Sequence, residues 1–131
     1  MAGTASTASA EVHLSNGTEQ ESQEATAAVA AGVCPYFHEA VELLGKRWTG
    51  AIVHSLLGGP MRFSELSHAI PQISDRLLSI RLRELEGCGI VARDVYEQAP
   101  VRVEYELTPK GRALEPAVRA IRSWAREWLQ Y

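Results

Sequence analysis

Residues 74–107 change hydrophobic period partway along, and that change restricts the fold more than any other feature of the chain. From Ser74 to Gly87 the apolar residues recur at helical spacing. Leu78, Leu82 and Leu85 fall on one side when successive residues turn by about 100°. Ser74 suits the N-cap, because its hydroxyl can accept a backbone N–H of the first turn. Gly87 or Gly89 suits the end. Past Gly89 the period drops to two. Ile90–Tyr96 is rich in β-formers, and Val101, Val103, Tyr105 and Leu107 alternate with Arg102, Glu104 and Glu106, as in a half-buried strand. Glu97 to Pro100 is the loop between the strands. A short amphipathic helix thus runs straight into a two-stranded hairpin.

Upstream, Pro35 opens a helix carrying Phe37, Val41 and Leu44, which Gly45 ends. A second helix is expected from about Trp48 to Leu57, broken by Gly58-Gly59-Pro60. A short third carries Phe63, Leu66 and Ile70 and stops at Pro71. Downstream, Thr108-Pro109 reads as N-cap and first position of a last helix with the stripe Leu114, Val118, Ile121, Ala125 and Trp128, kinked at Pro116. Four helices, a hairpin and a final helix make a winged helix-turn-helix, mainly α with a small β-hairpin wing in the α+β sense. The third helix supports, the fourth reads DNA and the hairpin is the wing.

The net charge of −3 argues against nucleic acid only until its distribution is considered. Residues 1–33 hold Glu11, Glu19, Glu21 and Glu24 and no Lys or Arg; the remainder carries 13 basic and 12 acidic residues. Residues 1–33 are expected to form a disordered acidic tail, and residues 34–131 one DNA-binding and dimerisation domain. No basic, apolar leader opens the chain, no run is apolar enough for a membrane span, and two cysteines make no disulfide scaffold. The cytoplasm is the expected compartment.

On the fourth helix Arg76, Ile80 and Arg83 lie opposite the leucines, with Ser79 at their edge and Ser74 at the helix start. Arg grips guanine bidentately, Ser bonds a phosphate or base edge, and Ile touches a thymine methyl. A solvated face has a similar composition, but an exposed Ile followed by a hairpin favours double-stranded operator DNA. Arg81, nearer the apolar flank, pairs with an acid or reaches a phosphate from the side. Arg102, near the wing tip, suits a narrow minor groove. Arg93 either assists it or forms a cross-strand ion pair with Glu104 or Glu106. Arg62 can hold a phosphate, whereas Lys46 and Arg47 suit solvation or local capping.

A body of this size does not easily bury its first and last helices. Phe37, Val41, Ile121, Trp124, Trp128 and Leu129 are therefore the expected homodimer interface, which also sets two recognition helices one DNA turn apart. Cys34 precedes Pro35 at a helix N-terminus, where the helix dipole favours thiolate, with His38 one turn on. Sensor and plain N-cap are both open for it. Cys88, between Gly87 and Gly89, is either a small buried residue at a tight turn or a second, resolving thiol. Cys34 and His38 alone do not make a metal site, and no cofactor is expected. No phosphate loop, nucleophile elbow or suitably spaced acid pair suggests an enzyme.

Several blocks in register resemble the HxlR-type family, a branch of the MarR-like winged-helix regulators. They are Cys34-Pro35, Leu43-Leu44-Gly45-Lys46-Arg47-Trp48, Gly59-Pro60, Arg62-Phe63-Ser64-Glu65-Leu66, Pro71 to Ser74, Arg81-Leu82-Arg83-Glu84-Leu85-Glu86, Arg102-Val103-Glu104-Tyr105 and Leu107-Thr108. The resemblance implies a dimeric repressor or activator with a short palindromic operator, joined through its first and last helices. The Cys-Pro start and the Leu-Gly-Lys-Arg-Trp block are similar to the YodB-like members, which sense quinones, diamide and related thiol stress. That likeness implies that Cys34 is the sensor. Some such members carry further cysteines near the C-terminus, and this chain has none after Cys88. The alternatives are a regulator governed by a small ligand in the dimer cleft and a winged-helix module that binds protein and no DNA.

Overall fold

The computed structural model describes residues 34–130, together with Gln23 and Gly32. Apart from those two positions, the tail expected over residues 1–33 lies outside the described residues. The chain divides into two compact units, Met1–Gly45 and Lys46–Tyr131.

In the first unit, helix α1 spans Pro35–Leu44, with Cys34 as N-cap and Gly45 as C-cap. The Gly45 N–H donates to the Val41 carbonyl at 2.7 Å. None of its residues is buried, and Tyr36, Phe37 and Val41 are exposed.

The second unit contains α2 (Thr49–Leu56), α3 (Phe63–Ala69), α4 (Asp75–Gly87), strands β1 (Val91–Tyr96) and β2 (Arg102–Leu107), the short α5 (Pro109–Arg112) and α6 (Glu115–Trp128). Its core joins Ile52, Val53 and Leu56 of α2, Leu66 of α3, Leu78, Leu82 and Leu85 of α4, and Ile70, Ile73, Ile90, Val91 and Leu107 around them. Every α4 leucine expected inside is there. Truncating one to Ala would cost about 2–5 kcal/mol, the removed methylenes plus the cavity left behind. The hairpin is antiparallel, Val91 pairing with Leu107 and Tyr96 with Arg102. The sheet gains a bridge that no sequence pattern announces: Met61 and Tyr105 exchange N–H···O bonds of 2.9 and 2.7 Å, tying the wing to the segment before α3.

At its base the hairpin is held by Thr108. The Thr108 hydroxyl caps α5 through the Gly111 N–H at 3.1 Å and also donates to the Gly89 carbonyl. Gly111 has to be glycine, because a Cβ there would meet the Ile90 carbonyl oxygen at 2.3 Å.

Helix α2 lies where expected, with Trp48 as its N-cap at φ 75°, a left-handed geometry uncommon for a bulky residue. One expectation is corrected. Pro116 does not kink a continuous last helix. Inside a helix its ring would clash with the carbonyl four residues back. The chain instead closes α5 at Arg112 and restarts at Glu115, with Pro116 in the first turn, where its missing N–H is harmless.

Candidate nucleic-acid interface

Residues 70–74 join α3 to α4, with Ile73 buried beneath the turn. The Ser74 hydroxyl accepts the Leu77 N–H at 3.1 Å, and Ser67 Oγ donates to Asp75 Oδ1 at 2.9 Å, fixing α4 against α3. With the leucines inside, Arg76, Ile80 and Arg83 face outward, all three exposed, and Ser79 is half-buried at their edge. Neither Arg76 nor Arg83 has an ion-pair partner among the described residues. An exposed isoleucine between two unpaired guanidinium groups matches the edges of base pairs better than it matches water. Arg62, the N-cap of α3, is also exposed; its backbone N–H donates to Glu65 Oε1 at 3.0 Å.

Behind that face lies a network the sequence did not reveal. Arg81 donates to the Arg47 carbonyl at 3.0 Å and to Glu84 Oε1 at 2.9 Å, and Lys46 Nζ holds Glu84 Oε2 at 2.9 Å. Arg81 thus takes the acid-pairing role. Lys46 and Arg47 are neither free nor simple caps; they anchor the segment before α2 to the back of α4, with the Arg47 guanidinium 5.1 Å from the Trp48 ring centroid. The Lys46 hydrogen bond, and the positive charges of Lys46 and Arg81, hold the Glu84 carboxyl below its usual range. A depressed folded value stabilises the fold at pH above the unfolded value, about 4.3, and that contribution fades as pH falls through the folded value. Glu84→Gln should therefore lower stability by about 0.5–1 kcal/mol at pH 7, discounted for solvent screening. The gap between variant and wild type should close progressively below about pH 4.3. Urea midpoints from pH 7 to pH 3 measure this, and a gap that persists undiminished at pH 3 would contradict it.

On the wing, Arg93 pairs with Tyr105 and Arg102 with Tyr96. Because side chains alternate across a strand, the two arginines lie on opposite faces of the hairpin and cannot assist each other at one point. The register also explains why Arg93 forms no ion pair with Glu104 or Glu106: both lie on the other face. That face carries Asp94, Glu104 and Glu106. Asp94 pushes the Glu106 carboxyl above its usual range, because the Asp94 carboxylate accepts a hydrogen bond from the protonated form of Glu106 and its negative charge disfavours the ionised form. Arg102 Nε lies 3.3 Å from Glu104 Oε1, and its guanidinium carbon lies 4.7 Å from the Tyr96 ring centroid.

Cys34 is exposed, and its side chain makes no capping hydrogen bond. His38 does not turn back to it; its ring points onward, Nε2 lying 3.8 Å from Glu42 Oε1. Cys88 is exposed as well, which overturns the first of its two readings, a small buried residue at a tight turn. It is the C-cap of α4, and Gly89 at φ 73° reverses the chain so that Ile90, not Cys88, enters the core. Its carbonyl accepts Lys110 Nζ at 2.7 Å. Among the described residues no group of three or more His, Cys, Asp or Glu side chains is placed to hold a metal. No described helix is long and apolar enough to cross a membrane. The six apolar residues expected at a dimer interface are all exposed in the single chain, Phe37 at 65%, Trp124 at 56% and Trp128 at 66%.

Comparison with known proteins agrees with this geometry. The family model described as HxlR-like helix-turn-helix matches residues 43–131. The HTH-type transcriptional regulator YvaP of Bacillus subtilis is 53% identical over 97 residues, which cover 74% of this chain and 90% of YvaP. The reduced form of the transcriptional regulator YodB from B. subtilis superposes with a TM-score of 0.69 at 45% identity, covering 75% of this chain and 96% of that one. Quinone-bound YodB from the same organism gives 0.65 at 44% identity, covering 73% and 100%. The chain is a winged helix-turn-helix transcriptional regulator and belongs to the HxlR-like helix-turn-helix family.

Proposed function

We propose that this regulator binds double-stranded operator DNA as a cytoplasmic homodimer and acts as a repressor released when Cys34 is oxidised or alkylated. Residues 34–131 serve as its DNA-binding and dimerisation domain. The observation that carries the DNA contact is the exposed Arg76–Ile80–Arg83 face, with no partner for either arginine among the described residues. Ser74, Ser79, Arg62, Arg93 and Arg102 supply flanking contacts. The exposed apolar faces of α1 and α6, with Leu129 beyond α6, support pairing of two copies, since such area on a soluble chain is commonly covered by a partner. Redox control rests on the exposed Cys34 and on the likeness to YodB, which has been solved both reduced and quinone-bound.

A second reading is control by a small inducer in the dimer cleft; the single chain offers an open groove of about 370 Å³ between the end of α2 and α6, lined by His54, Ser55, Leu57, Val118, Arg119 and Arg122 among others. Selection of genomic fragments by the purified protein, with and without a benzoquinone, separates these readings. The enriched sequence should be a palindrome with half-sites about 10–10.5 bp apart, as a two-fold dimer requires, and enrichment should vanish with the quinone. Enrichment of lone half-sites would remove the dimer. Enrichment indifferent to the quinone would favour the cleft. No enrichment at all would favour a protein-binding module.

A further inference from the structure

The wing carries one cation on an otherwise acidic face, and its position depends on a neighbour. Tyr96 and Arg102 are directly opposed, the last register pair before the loop. Asp94 is the diagonal neighbour of Arg102 on β1, and diagonal positions are within reach of long side chains. Without the Tyr96 ring, attraction would draw the Arg102 guanidinium down the face toward Asp94 and Glu106. Instead the guanidinium lies against the ring, 4.7 Å from its centroid, with its edge nitrogen 3.3 Å from Glu104. A ring on one side and a carboxylate on one edge fix both the position and the plane of a group that otherwise samples many rotamers.

We propose that Tyr96 is a positioning residue that holds Arg102 at the wing tip, oriented for a narrow minor groove. This rests on the DNA-binding function proposed above. Among the strand residues on this face, Arg102 is the one cation, and it stands at the tip. Asp94 and Glu106 repel phosphates nearer the base, so a collapsed Arg102 would be lost to the DNA. A guanidinium stacked on an aromatic ring is not replaceable by an ammonium, which makes the arrangement specific for arginine.

The test uses the full chain and two operators that differ only in A·T-rich or G·C-rich flanks. Tyr96→Ala should weaken binding to the A·T-flanked operator about two- to fivefold, the range for an exposed cation–π contact, with little change on the other. Tyr96→Phe, which keeps the ring, should bind as wild type. Adding Tyr96→Ala to Arg102→Ala should have no further effect. In the free protein, the Arg102 Nε–H resonance should carry a ring-current shift that Tyr96→Ala abolishes and Tyr96→Phe preserves. An unmoved resonance, or additive losses in the double variant, would overturn the proposal. If Arg102→Ala binds like wild type while Arg76→Ala does not, the wing inference falls and the DNA-binding function stands. If neither variant changes binding, that function itself falls.

Discussion

Diamide should strip operator DNA from the wild-type protein, dithiothreitol should restore binding, and Cys34→Ser should stay bound throughout. The sulfur of Cys34 is exposed at the start of α1 and makes no capping hydrogen bond there. With a quinone, the sulfur attacks a ring carbon; a C–S bond forms and the ring becomes a substituted hydroquinone after proton transfer. With diamide, two thiols lose their protons and two electrons to the N=N bond, leaving a disulfide and a hydrazine. The second thiol is a second copy's Cys34 or a Cys88, and both cysteines are exposed. On either route the product sits at the head of a helix whose exposed Phe37 and Val41 are proposed to meet a second copy. The chain leaves α1 through Gly45 into Lys46 and Arg47, which are bonded to Glu84 and Arg81 on α4. Specific binding usually exceeds non-specific binding by about 10³–10⁷, so spoiling the two-fold fit should cost on the order of 10³ in affinity. Gel-shift titrations of wild type, Cys34→Ser and Cys88→Ser, with masses of the oxidised products, decide the route. Loss of the response in Cys88→Ser identifies a Cys34–Cys88 bridge, whereas its retention leaves the Cys34–Cys34 bridge. If Cys34→Ser lets go of DNA as wild type does, Cys34 is not the sensor.

What could be read from the sequence divides by distance along the chain. The Ser74 cap and the leucine stripe of α4 are local patterns of a few residues, and each appears where it is expected. Strand β2 also forms, but its burial does not alternate: Glu104 and Glu106 are as half-buried as Val103 and Tyr105, and Val101 lies outside the strand, exposed. The parity of the wing was not legible. Alternation fixes which residues share a face within one strand, but the relation between strands depends on how residues 97–101 turn. That is why Arg93 and Arg102, which look like partners in sequence, lie on opposite faces. The Glu84 network joins residues 34 to 38 positions apart, and nothing in either segment alone announces it. The expectation for Lys46 and Arg47 is solvation or local capping, and the fold instead brings them to Arg81 and Glu84. Cys88 was misjudged for a different reason. Cysteine is usually buried, but here the glycine after it reverses the backbone and carries the next apolar side chain inward instead.

Arg76→Ala and Arg83→Ala should each weaken specific binding by about 1–3 kcal/mol, the range for one good bidentate base contact, and together by about the sum. The two positions are seven residues apart on α4, about 10.5 Å along its axis at 1.5 Å per residue. That is about three base-pair steps of 3.4 Å, so the two side chains reach different bases. Groups so far apart without shared partners usually act independently, and neither arginine has a partner among the described residues. The lysine replacements separate base reading from charge. Lysine keeps the charge a phosphate needs but lacks the planar fork that grips guanine O6 and N7. If these arginines read bases, Arg76→Lys and Arg83→Lys should bind the operator nearly as weakly as the alanine variants and lose preference at the touched positions. If they contact only phosphates, the lysine variants should bind like wild type. Each alanine variant should then weaken all sequences alike and reduce the salt dependence by about one counterion per lost contact. Binding isotherms at several salt concentrations, on the operator and on single-base variants of it, distinguish these outcomes. The outward position of Ile80 between the arginines favours the first. A phosphate-tracking surface gains nothing from an exposed isoleucine, whereas a surface that enters the major groove meets thymine methyls there.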